Sequence, residues 1–163
     1  MQKKGFTLIE LIIVVAIIGL LAAAAFVAVN PGKRVGDASD AKRWSDITAI
    51  ADAISHYAVD HNGDLPGGVS GATAGTEYMI NIAGGSAGSE NCTSTDDTYT
   101  KIDISSGIVP TYIPTMPLDP DLDKATAEDD GIGYYIVKDS EGRVKIGACS
   151  ESDYATASIV VQR

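Results

Sequence analysis

From Leu11 to Val29 the chain runs for nineteen residues without a charged side chain. No other feature restricts the possible folds as much. As a helix rising about 1.5 Å per residue, the run matches a hydrocarbon core about 30 Å thick. One acidic residue, Glu10, stands at its head, and Lys3, Lys4 and Gly5 come just before it. A charged side chain within a membrane segment costs roughly 2.5–3.5 kcal/mol on insertion scales, so Glu10 is expected to have a partner or a task. The basic start, the apolar middle and the small residues Ala22, Ala23, Ala24 and Ala25 are compatible with a secretory signal peptide. The same run is long enough to stay in the chain as a single-span anchor.

A third reading comes from the residues themselves. The stretch Gly5-Phe6-Thr7-Leu8-Ile9-Glu10-Leu11-Ile12-Ile13-Val14-Val15-Ala16-Ile17-Ile18-Gly19 resembles the N-terminal signature of type IV pilins and type II secretion pseudopilins. The resemblance is strong over about the first 25 residues. It implies a leader peptide, residues 1–5, removed by a prepilin peptidase between Gly5 and Phe6, and methylation of the new amino group on Phe6. It also implies that Glu10 pairs with the N-terminal amine of a neighbouring subunit and that Gly19 is the family's helix glycine. Family members commonly carry a proline at the position of Val27; here the first proline is Pro31. An amine and a carboxylate in a low-dielectric setting attract strongly, but desolvation leaves a modest net gain. The larger effect is on register, because either charge buried alone is costly.

The resemblance gives the chain three parts: the leader at 1–5, a transmembrane and polymerisation helix at 6–30, and a globular head at 31–163. The head divides into an amphipathic half-helix at 31–62, a loop region at 63–98, and a β-sheet with C-terminal loops at 99–163. Asn30-Pro31 suits the start of a new helix, with Asn30 as N-cap and proline in the first turn. Beyond Lys33, Ala38, Ala41, Trp44 or Ser45, Ile47, Ile50, Ala51, Ile54, Tyr57 and Ala58 recur at helical spacing, while Asp37, Asp40, Lys42, Arg43, Asp46 and Asp52 fill other positions. Asn62-Gly63 and Leu65-Pro66 end the pattern. One long helix is expected from about Phe6 to His61.

Glycine, serine and threonine dominate residues 64–98, with Glu77 to Ile82 as a short helix or strand. Tyr99 to Ile104 alternates like a strand. Pro110, Pro114, Pro117 and Pro120 make Ile108 to Pro120 an extended connector. Gly133 to Ala148 reads as a hairpin turning at Asp139-Ser140-Glu141-Gly142, and Thr156 to Val161 as a last strand. Together these predict an α+β protein: a long N-terminal helix, membrane-spanning in its first half, packed against a small antiparallel sheet of three to four strands.

The formal charge is −10. Loss of residues 1–5 would leave ten basic against 22 acidic side chains, a net −12. Such a surface lacks the clustered Lys and Arg that nucleic-acid binding needs, and no direct binding is expected. Cys92 and Cys149 lie well past the apolar run, and an even count in an exported domain reads as one disulfide. Their loop of about 58 residues would stabilise by roughly 4 kcal/mol on the chain-entropy model.

Met116-Pro117-Leu118-Asp119-Pro120 with Gly133-Tyr134-Tyr135 is similar to a stretch of major pseudopilins, some of which bind calcium in a nearby loop. Asp119, Asp121 and Asp123 offer oxygen ligands, with Glu128, Asp129 and Asp130 farther on, but the spacing is not that of an EF-hand. A solvated acidic loop is the favoured account of them, and no metal or cofactor is expected. His56 and His61 lack a ligand or catalytic constellation, and no P-loop, His-Glu-x-x-His or Gly-x-Ser-x-Gly occurs, so no enzymatic activity is expected.

The expected function is that of a pilus subunit, made as an inner-membrane precursor and then polymerised through its N-terminal helix into a surface filament. Expected partners are copies of itself, the prepilin peptidase, the assembly machinery of the inner membrane, and lipid before assembly. A type II secretion or competence pseudopilin is the alternative within the family. A single-span anchored or secreted binding domain is the alternative outside it.

Overall fold

The computed structural model describes residues 5–81, 101–121, 131–155 and 157–163. The chain falls into two compact units that divide after Val35.

The first unit holds helix α1, Leu8–Val29. Beyond Glu10 in the first turn its residues are apolar all round, which suits lipid or a helical bundle rather than one face of a globular core. No residue of α1 is buried. Asn30 ends it in the left-handed conformation, φ 43° and ψ 79°. The Asn30 side chain then accepts a hydrogen bond from the Lys33 amide at 3.3 Å, and Pro31 opens helix α2, Pro31–Asp60. One asparagine thus closes one helix and caps the next, as its left-handed tolerance and short acceptor side chain allow.

In the second unit α2 supplies one wall of the core. Ile47, Ile50, Ala51, Ala53 and Ile54 are buried on it. The helix stops where the Gly63 amide bonds back to the Ala58 carbonyl at 2.8 Å, across Asn62 at φ 57°. This six-to-one bond with a left-handed residue inside it is a Schellman stop. Two short helical turns follow in the chain, α3 (Gly67–Ser70) and α4 (Ser105–Ile108).

The strands are β1 (Glu77–Asn81), β2 (Lys101–Asp103), β3 (Gly131–Lys138), β4 (Val144–Ala148) and β5 (Val160–Gln162). They form one sheet in the order β2-β1-β3-β4-β5. Five strands exceed the three to four expected. The additional pairing is between β1 and β2, and it is parallel, with Ile80 opposite Ile102. The other three pairings are antiparallel. The expected hairpin is β3–β4, with Ile136 opposite Ile146 and a turn at Gly142, φ 84°. Ile80, Ile102, Ile132, Tyr134, Ile136 and Ile146 meet the α2 isoleucines in a single core. The opposite side of the sheet carries a smaller cluster, Met79 and Tyr135 with Val137 and Cys149 against them.

The α+β expectation agrees with this architecture. Ala38, Ala41 and Trp44, expected on the apolar face of α2, are exposed, and the buried stripe begins at Arg43.

Candidate functional site

Among the described residues two places carry chemistry, one in each unit. In the first, Thr7 is the N-cap of α1 with extended backbone, φ −84° and ψ 152°. Its hydroxyl accepts from the Glu10 amide at 3.3 Å. Glu10 Oε2 in turn accepts from the Thr7 amide at 2.9 Å and from the Thr7 hydroxyl at 2.7 Å. This reciprocal capping box satisfies two donors at the helix start that have no partner within the helix. It also places a carboxylate in the first turn, where the helix dipole favours it. The sequence signal for this cap is Thr-x-x-Glu ahead of an apolar run, here Thr7 to Glu10.

Gly5 and Phe6 precede the helix and are exposed, Phe6 at 84 %. A peptide bond outside regular structure can take the extended form that a peptidase cleft accepts. A side chain on Gly5 would meet nothing of this chain within 4 Å, and the same holds for Gly19. Glycine inside a helix costs about 1 kcal/mol relative to alanine. Among the described residues nothing approaches Gly19 to offset that cost, whereas the close approach of another helix would.

In the second unit the site is a buried guanidinium. Arg43 is 1 % exposed. Its Nε and Nη2 donate to the two carboxylate oxygens of Asp119 at 2.8 and 3.0 Å. Nη1 donates to Asp40 at 2.8 Å and Nη2 also to Asp121 at 2.6 Å. The forked pair with Asp119, then burial in the opposite sense and Asp121, govern its titration, and the guanidinium is held above its ordinary range. The amide of Asp119 bonds to the Ile132 carbonyl of β3 at 3.0 Å, and the Ser152 amide and hydroxyl both donate to Asp40. Beside this cluster, Lys42 donates to Asp46 at 2.6 Å and to the Leu118 carbonyl at 2.9 Å. Tyr134 donates to Asp46 at 2.8 Å, and its burial, with that carboxylate, pushes its phenol well up. Helix, proline-rich connector, sheet and C-terminal loop are therefore tied through one network.

Asp119 and Asp121, weighed as calcium ligands, do hold a cation, but it is the guanidinium of Arg43. Asp123 lies outside the described residues, as do Glu128, Asp129 and Asp130. Among the described residues no group of three His, Cys, Asp or Glu side chains is placed to hold a metal. Arg43 itself was read as a polar position of α2; its spacing of four and seven from Ile47 and Ile50 is the signal that it shares their buried face.

His61 stacks on Tyr57, ring centroids 3.9 Å apart, and is exposed, as is His56. Cys149 follows β4, its amide bonded to the Gly133 carbonyl at 2.9 Å. Cys92 lies outside the described residues.

Residues 1–26 match the family model of the prokaryotic N-terminal methylation motif. The chain carries a prepilin-type N-terminal signature. This is the signature of type IV pilins and pseudopilins, and over these 26 residues it supports a pilin-like or pseudopilin-like precursor. It implies, in general terms, processing by a prepilin peptidase and handling by an assembly machinery. The apolar α1 fits membrane anchoring of that precursor: its helix is long and apolar enough to cross a bilayer. No curated protein and no solved structure matches the chain.

Proposed function

We propose that this protein is the structural subunit of a type IV pilus, stored in the bacterial inner membrane and polymerised through α1 into an extracellular filament. One observation carries the reading: the prepilin signature heads an apolar helix none of whose residues is buried. In lipid that surface is satisfied by acyl chains; after extraction only other apolar helices can cover it. The peptidase cuts between Gly5 and Phe6, and Phe6 is methylated. Glu10 then meets the N-terminal amine of a neighbouring copy. The capping box supports this step, because it fixes the carboxylate at the helix start before a partner arrives. The subunit performs no catalysis and holds no cofactor.

The second unit is the exposed head. We assign the Cys92–Cys149 disulfide to it; the absence of a free thiol among the described cysteines supports this pairing. Its acidic surface suits solubility rather than nucleic-acid contact. The Pro-x-Asp-Pro stretch at 117–120 favours a second reading, a type II secretion pseudopilin.

The test begins with intact mass and N-terminal sequencing of native, non-reduced protein from membranes and from sheared cell surface. A start at methylated Phe6 in the sheared fraction is the expected result. A start near Ala25 would replace this reading with an exported soluble domain. A processed start confined to membranes, with a secretion defect on deletion, would favour the pseudopilin.

A further inference from the structure

The stop of α2 contains a reactive pair. Asn62 and Gly63 are both exposed, and Asn62 is held at φ 57° with Gly63 at φ 96°. Glycine after asparagine leaves the backbone nitrogen unshielded by a side chain, the condition under which that nitrogen can attack the asparagine amide. A side chain on Gly63 would meet no described residue within 4 Å, so this side of the turn is open. One contact does oppose the attack: the Gly63 N–H is donated to the Ala58 carbonyl at 2.8 Å. The nitrogen that would act as nucleophile is the donor of the Schellman bond. The turn is further held by His61, whose amide bonds to the Tyr57 carbonyl at 3.0 Å and whose ring stacks on Tyr57.

We propose that Asn62 is a latent self-modification site, deamidating through Gly63 and gated by the last turn of α2. The Gly63 nitrogen loses its proton and bonds to Asn62 Cγ; the Cγ–Nδ2 bond breaks and ammonia leaves, closing a succinimide. Water then opens the ring at either carbonyl, giving aspartate or isoaspartate. No oxidant, metal or enzyme enters. Each event adds a negative charge beside Asp60 and Asp64. Isoaspartate also inserts a methylene into the backbone where the left-handed residue must sit. Because the bonded N–H must first be released, the rate in the folded chain follows the opening of this turn, a local event of low free energy at a helix end. The inference is independent of the filament reading.

The experiment incubates full-length protein in detergent at pH 8.5, folded and in urea, and follows the mass of the peptide containing Asn62. The expected result is a gain of about one dalton that proceeds at least about ten-fold more slowly in the folded chain than in urea. His61→Ala, an exposed change that removes the stack, is expected to speed the folded-state reaction several-fold. Equal rates in both states, no mass gain in urea, or an unchanged rate in His61→Ala would each overturn the proposal.

Discussion

Arg43 and Asp119 stand 76 residues apart in sequence and meet as a forked, two-bond ion pair buried between α2 and the connector ahead of β3. Such a pair adds little over a well-packed apolar substitute, but removal of one partner leaves the other's buried charge under-compensated. Asp119→Ala leaves Arg43 with Asp40 and Asp121 alone and is expected to destabilise the head by up to about 3–5 kcal/mol. Replacing both partners with apolar residues of similar volume should cost much less. Urea unfolding followed by the fluorescence of Trp44, the sole tryptophan, measures both; equal losses would contradict the stranded-charge account.

The same network sets a response to acid. Burial raises Asp40, but the hydroxyl and amide of Ser152 together with Arg43 outweigh it, and the carboxyl sits below its ordinary range. Asp139 is lowered likewise, chiefly by Arg143. A depressed folded-state pKa contributes stability above the unfolded value, about 3.9, and loses it as pH falls through the folded value. Stability is expected to drop below about pH 4, and Asp40→Asn should flatten that drop in an acid titration of the unfolding midpoint.

Glu77 has the opposite sign. Its Oε1 is buried and has no hydrogen-bond partner among the described residues, and desolvation raises its pKa despite Lys145. A carboxyl raised in the folded state subtracts stability as pH climbs from its unfolded value, about 4.3, through its folded one. Glu77→Gln should therefore raise stability at pH 7 by a modest amount and have no such effect at pH 3, in paired melting curves.

At the N-terminus, Glu10→Ala is expected to abolish or sharply reduce filaments while leader removal and membrane insertion survive; electron microscopy of sheared fractions decides it. Gly5→Leu should block leader removal, visible as an unprocessed band. Thr7→Val removes the cap and should cost about 0.5–2 kcal/mol at the helix start, with filament yield falling between wild type and Glu10→Ala.

Gly147 on β4 lies under the ring of Tyr135, its cross-strand partner. A Cβ there would sit 2.4–2.6 Å from ring atoms. Gly147→Ala should cost about 1–3 kcal/mol through forced repacking, and Gly147→Ala with Tyr135→Ala should lose less than the sum of the two single changes.

What could be read from the sequence was local. The end of α2 at Asn62-Gly63 follows from its breakers, and the β3–β4 hairpin from alternation around a turn; the single helix expected from about Phe6 to His61 is instead interrupted at Asn30, whose left-handed backbone ends α1 before Pro31 opens α2. The β1–β2 pairing was not legible, because parallel partners joined through residues 82–100 leave no short-range signal. Arg43 escaped for another reason: polarity argued for the surface, and only three carboxylates from two separate segments make its burial tolerable. At the N-terminus the order was reversed. The contiguous motif named Gly5, Phe6 and Glu10, whereas the partner that holds Glu10 within its own chain emerged from the geometry.

Among the described residues the buried core of the head is built from α2 from Ile47 onward, the sheet and the turns and connectors around it, and α1 has no buried residue of its own. A core made of those residues is complete whichever apolar environment surrounds α1. Under the proposed function the head then travels as folded cargo, with no need to open or refold when its helix leaves the lipid, and the work of assembly is that of moving a greasy rod between two solvents of similar polarity.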